Sequence, residues 1–193
     1  MEQKKTVVLP VDQLEEALKK EQYKRTFVSV LRNTIFSLLV VAAAAVIIAV
    51  LILPVMRISG SSMSTTLEDG DIVISLNDQR YKTGDVIGFY YNNNILIKRV
   101  IATSGDWVDI DLDGNVYVNG TLLNEPYVSE KAYGDCNITL PYQVPDGRCF
   151  VMGDHRDTSV DSRNSGVGCI SNEMVVGRLL LRVWPLEQMG AIQ

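Results

Sequence analysis

From Ile35 to Leu53, 19 consecutive positions carry a single polar residue, Ser37. At ~1.5 Å of rise per residue such a run makes ~28 Å of helix, close to the ~30 Å hydrocarbon core of a bilayer. It has no polar face, which argues against a helix buried in a soluble core. A cleaved leader would have a shorter apolar core, ~7–15 residues, behind a short basic start and ahead of an A-x-A-like site. Here 34 residues precede the run, and Leu53-Pro54-Val55-Met56-Arg57-Ile58-Ser59 contains no alanine. Residues 35–54 are therefore predicted to be an uncleaved transmembrane helix, ended by Pro54. Upstream, Asp12 and Glu15 have the spacing of a capping box opening a short charged helix.

After Pro54 the period changes to two. Val108, Ile110 and Leu112 alternate with Asp109, Asp111 and Asp113; Gly114-Asn115 follows, and Val116 and Val118 resume the alternation. This pattern predicts a half-buried hairpin, with a second turn at Asn119-Gly120. The runs Asp71–Leu76, Asp85–Tyr91, Ile95–Ala102, Cys149–Met152 and Val175–Trp184 are rich in Val, Ile, Tyr and Phe, with Gly-Asp pairs starting at 70, 84, 105 and 153. Several short strands separated by turn signals, with no βαβ alternation, predict a mainly β, barrel-like domain over residues 55–193.

Charge then sets orientation. Residues 1–34 hold seven Lys/Arg against five Asp/Glu. Lys19, Lys20, Lys24, Arg25 and Arg32 stand before the apolar run, and only Arg57 stands just after it. By the positive-inside rule residues 1–34 form a cytoplasmic segment, and 55–193 lie outside the cell membrane. The whole chain carries 18 basic and 23 acidic residues, net −5. The outer domain holds 11 basic and 18 acidic residues, a poor match for nucleic acid. One His and three Cys without a C-x-x-C pair leave no dedicated metal site, and no cofactor motif is present.

A Ser-His-Asp triad would have to use His155, which sits in a polar Gly-Asp-His-Arg loop. Another base for a nucleophile is a lysine whose amine has been desolvated into the neutral form. In Ile95-Leu96-Ile97-Lys98-Arg99-Val100-Ile101-Ala102 each strand face is apolar apart from one cation. That pattern fits either a buried functional lysine or an edge strand guarded by charges. Ile58-Ser59-Gly60-Ser61-Ser62-Met63 is a small-residue serine loop in which Ser62 lies eight residues past Pro54, at most ~26–29 Å of extended chain.

Taken together these segments resemble the bacterial type I signal peptidases. Gly60-Ser61-Ser62-Met63-Ser64-Thr65-Thr66-Leu67 with Gly70-Asp71 is similar to that family's nucleophile box. Ile97-Lys98-Arg99-Val100-Ile101-Ala102 with Gly105-Asp106 resembles its lysine box. Gly153-Asp154-His155-Arg156-Asp157-Thr158-Ser159-Val160-Asp161-Ser162-Arg163 with Gly166 resembles its third box. The resemblance implies a membrane-anchored serine endopeptidase with a Ser62/Lys98 dyad. Ser159 would orient the Lys98 amine, and the Ser62 backbone N–H would hold the oxyanion. Arg99, Asp154, Asp161 and Arg163 would brace the site. It implies secretory preproteins with small residues at −1 and −3 as substrates, with the lipid bilayer and the export machinery as further partners. The family usually has Pro where Thr65 stands, and Pro at 65 is expected to be tolerated or mildly stabilising. Asn is common in the family at the position of His155. Some relatives carry a serine hydroxyl at the position of Gly60 as an oxyanion donor; this chain lacks it.

Two other functions share these features. An anchored family member could bind export substrates or assist surface assembly without cleaving them. A self-cleaving regulator with a Ser/Lys dyad is disfavoured, because the anchor puts the dyad outside the cell. Cys136, Cys149 and Cys169 allow three single disulfide pairings, among which the sequence does not choose.

Overall fold

The computed structural model describes residues 11–78 and 80–192; the first ten positions of the expected cytoplasmic segment lie outside the described residues. A continuous helix, α1 (Val11–Ile52), carries both the charged upstream stretch and the apolar run. Asp12 sits within its first turn. Among the described residues this is the one helix long and apolar enough to cross a membrane. Its large apolar side chains, such as Phe36, Leu38 and Val41, are exposed.

The rest is mainly β, as the alternation predicts. In chain order the strands are β1 (Val55–Arg57), β2 (Ile72–Leu76), β3 (Val86–Tyr91), β4 (Asn94–Thr103), β5 (Trp107–Ile110), β6 (Val116–Val118), β7 (Thr121–Leu122), β8 (Tyr142–Gln143), β9 (Arg148–Met152), β10 (Ile170–Ser171), β11 (Val175–Trp184) and β12 (Gly190–Ala191). One sheet has the order β1-β2-β11-β3-β4-β9-β10, with β12 added to β11; the other has the order β7-β6-β5-β8. Pairing follows an open path in both, so the domain is built from two sheets without a closing strand pair among the described residues.

The predicted hairpin joins β5 to β6, with Val108 opposite Val118 and Ile110 opposite Val116. Leu112 departs from the expected inward alternation. The strand stops at Ile110 because Asp111 Oδ1 accepts the backbone N–H of both Asp113 and Asn115, and Leu112 is left 86% exposed. At the second turn Asn119 and Gly120 have φ of 52° and 78°, the pair of positive values that a type I′ turn requires. This turn sets Val118 opposite Thr121.

Three apolar clusters fix what matters for the site. Ile101, Val108, Ile110, Phe150 and Met152 pack together, and Ile87, Phe89, Val100 and Val151 form a second group. A β-bulge between Val100 and Ala102 breaks the strict alternation of β4, so Ile101 and Ala102 join the same cluster. The third cluster holds Ile58, Met63 and Leu67 of the serine loop against Val73, Val86 and Leu179 of the large sheet. Burying Met63 and Leu67 contributes roughly 1.5–3 kcal/mol each, which fastens the loop to the sheet from below.

Candidate active site

Residues 61–67 form consecutive turns, with Ser64 N–H donating to the Ser61 carbonyl and Leu67 N–H to the Met63 carbonyl. Met63 and Leu67 point into the core, which leaves Ser62 partly exposed above the sheet. Beneath it runs β4. β3 pairs with the Asn94–Arg99 half of this strand and β9 with its Arg99–Thr103 half, so the two partners overlap at Arg99. Lys98 is 3% exposed, which excludes the reading of a charge guarding a strand edge. Lys98 Nζ and Ser62 Oγ lie 2.5 Å apart, in hydrogen-bond contact.

The Lys98 amine is held down to about 8, chiefly by burial. The Asp161 and Asp154 carboxylates oppose that shift, and the Arg163 guanidinium reinforces it. A lysine at about 8 is neutral in roughly one molecule in ten at pH 7, against about one in 2,500 at an ordinary 10.4. The contact thus couples a partly exposed hydroxyl to an amine able to take its proton.

A ring of buried ion pairs holds this geometry. Arg99 Nε and Nη2 donate to the two oxygens of Asp154 at 2.9 and 2.7 Å, and Arg99 Nη1 donates to the Gly84 carbonyl. Thr66 Oγ1 donates to Asp154 Oδ2 at 2.5 Å, tying the serine loop to the same carboxylate. Arg163 binds both oxygens of Asp161, and Asp161 Oδ2 accepts the Gly153 N–H at 3.0 Å. Arg163 Nη2 also donates to the Arg156 carbonyl. Each charge is buried yet paired, the condition under which buried ions are tolerated.

Gly153 is where the third box approaches the serine loop. A Cβ there would lie 2.2 Å from Ser159 Oγ and 2.5 Å from the Ser62 carbonyl oxygen, so only glycine fits. His155 N–H donates to that same Ser62 carbonyl at 3.2 Å. The His155 ring lies 3.3 Å from the Ser61 carbonyl through Nδ1, and no contact from it to Ser62 Oγ is present among the described residues.

Most of the sequence-predicted residues converge here: Ser62, Lys98, Arg99, Asp154, Asp161 and Arg163. Ser159 is buried beside Gly153, but the expected hydrogen bond to Lys98 is not formed. Its hydroxyl has no partner among the described residues. Nor does Thr65 match the expectation that Pro would suit it, because its φ is 80°. Proline is confined to φ near −65°, so the turn after Ser62 follows a path that proline cannot take. Arg156 and Glu125 were missed as a pair: both side chains are fully buried and joined in a two-pronged contact. Arg156 lies within the third box, but its partner comes from a loop 31 residues away with no distinctive pattern. No disulfide forms, and all three cysteines are free.

Beside Ser62 and Lys98 lies a cleft of about 100 Å³, bordered by Ile58, Gly60, Ile95 and Ile97. From Asn94 to Lys98, β4 pairs with β3 alone, so its other edge faces this cleft without a described strand partner.

The family model described as signal peptidase, peptidase S26, matches residues 31–184. Signal peptidase I of Bacillus licheniformis is 34% identical over 177 residues, covering 81% of this chain and 92% of that protein. Signal peptidase IB of Staphylococcus aureus is 37% identical over 153 residues, covering 68% of this chain and 78% of its own. A crystal structure of a signal peptidase I from Enterococcus faecalis is 29% identical with a TM-score of 0.45, covering 52% of this chain and 97% of that one.

Proposed function

Since this chain belongs to the signal peptidase family, peptidase S26, and is thereby a serine endopeptidase, we propose that it removes signal peptides from exported preproteins with a Ser62/Lys98 dyad. The contact between Lys98 Nζ and Ser62 Oγ, made by an amine held at about 8, carries this reading. As Ser62 Oγ attacks the scissile carbonyl, neutral Lys98 accepts its proton and then delivers it to the leaving amine. Lys98 next takes a proton from the water that hydrolyses the acyl-enzyme. The backbone N–H of Ser62, without a hydrogen-bond partner among the described residues, is the donor for the developing oxyanion. Ser159, whose buried hydroxyl is otherwise unpaired, orients the amine once the cleft is filled.

The open edge of β4 suits an extended substrate segment added as a strand, with alternate side chains reaching the cleft. A cleft of this size between Ile58, Ile95 and Ile97 favours small side chains at −1 and −3. α1 anchors the enzyme in the cytoplasmic membrane, with the basic flank of residues 1–34 inside and 55–193 outside. The nucleophile then stands near the bilayer surface, where a preprotein's cleavage site emerges.

Both halves are testable in one system. In spheroplasts, added protease should digest the domain at 55–193, and a preprotein with Ala at −1 and −3 should be cut. Replacing the −1 Ala by Leu should block cutting, and His155→Ala should keep most of the activity. Binding of the preprotein without cleavage would leave the chain a non-catalytic member of its family. Protection of the domain would overturn the topology.

A further inference from the structure

Between β7 and β8 the chain makes a tight turn, with Val128 N–H donating to the Glu125 carbonyl at 3.1 Å. Nothing in its sequence marks it as functional, yet it touches a residue in each of the three boxes: Thr65, Arg99 and Arg156. Glu125 takes both prongs of Arg156, and Arg156 Nε donates to the Gly153 carbonyl at 3.1 Å. The Tyr127 carbonyl accepts Thr65 Oγ1 at 2.8 Å, three residues after the nucleophile. The Tyr127 ring covers the Arg99 guanidinium, with Cζ 3.9 Å from the ring centroid. Arg99 is the residue after Lys98 and donates to Thr66 as well as to Asp154.

Resting on the Ser62/Lys98 reading, we propose that Tyr127 is a positioning residue whose ring and carbonyl set the register of the serine loop against β4. The loop is fastened from below by Met63 and Leu67 and on one flank by His155 N–H at the Ser62 carbonyl. On the other flank Thr66 is tied to Asp154, Arg99 and Arg182, and Thr65 to the Tyr127 carbonyl. Thr65 is held there at φ 80°, a conformation that a β-branched residue does not adopt unaided. The hydrogen bond to Tyr127 supplies part of that restraint. The ring fixes where the carbonyl sits, because it stacks on a guanidinium that is already pinned by Asp154 and Gly84. The Tyr127 hydroxyl adds only a long bond to Glu125, at 3.3 Å. Register errors of about 1 Å between reacting groups cost roughly 10²-fold in rate.

The test is steady-state cleavage of a preprotein peptide by the full chain in detergent, with each variant's fold checked by thermal melting. Tyr127→Leu should lower kcat by roughly 10- to 100-fold with KM within about threefold of the parent. Tyr127→Phe, which keeps the ring, should restore kcat to within about threefold. Thr65→Val, which keeps the branched shape but removes the donor, should also lower kcat. Combined with Tyr127→Leu it should lose less than the product of the two effects, since both act through one carbonyl. Lys98→Met serves as the control: its activity would refute the dyad itself, whereas its inactivity leaves only the positioning role at stake. The proposal is overturned if folded Tyr127→Leu retains the parent kcat, if Phe and Leu are equally impaired, or if only KM moves. Should Tyr127→Leu fail to fold, a parental kcat in Thr65→Val overturns it and a lowered kcat supports it.

Discussion

Lys98→Met should lose peptidase activity by on the order of 10⁴-fold, the scale on which one member of an acyl-transfer assembly acts, while remaining folded. Its expected gain in stability is the more telling part. The folded-state value of about 8 lies below the ordinary 10.5, so the unfolded chain binds more protons between those two limits. Wild-type stability should therefore rise as pH climbs from 8 to about 10.5. Below 8 the buried ammonium exacts its full cost, at most about 3 kcal/mol by the size of the displacement. Methionine removes that cost with a similar volume and no charge, so Lys98→Met should melt at or above the parent temperature at pH 7. The parental rise between pH 8 and 10.5 should be absent from the variant. Lys98→Arg should be equally inactive, because a guanidinium keeps its proton throughout this range. Melting curves at pH 7, 9 and 10.5 beside peptide cleavage assays check both statements.

The second large effect is expected at Thr65. Proline there cannot reach φ 80°, and it must either break the turn after Ser62 or drag Met63 and Leu67 out of their cluster on the sheet. Moving the loop also removes the Thr65 hydrogen bond to Tyr127. Thr65→Pro should therefore lower kcat by about 10²-fold and lower the melting temperature. Thr65→Gly accepts the positive φ, and its melting temperature should stay closer to the parent's. Parental activity and stability in Thr65→Pro would show that the loop can follow the path its relatives use.

How much of this was legible from the sequence depends on the range of each interaction. Strands read from apolar runs between turn signals, such as Val175–Trp184, were placed well, because runs of apolar residues of that length are buried in a sheet. The helix run was legible from length alone. Leu112 was misplaced because a side-chain bond from Asp111 ends the strand first, and turn chemistry overrides a hydrophobic pattern there. Lys98 could be named as a candidate, but its burial is a tertiary fact. Pattern alone allowed an exposed charge guarding an edge, and burial of the Lys98 side chain removed that option. Glu125 and Tyr127 were silent for the same reason: each acts through a partner about 30 to 60 residues away. The Thr65 φ was hidden as well, since substituting threonine for a family proline does not announce a left-handed turn.

The dependence of kcat/KM on pH tests the central claim most directly. Measured on the full chain from pH 6 to 10, it should rise about tenfold per pH unit along an acidic limb. The limb should bend near 8, where the buried Lys98 amine loses its proton. It should be unchanged in His155→Ala. An acidic limb that vanishes in His155→Ala, or a profile that is flat from pH 6 to 10, would contradict Lys98 as the base that activates Ser62.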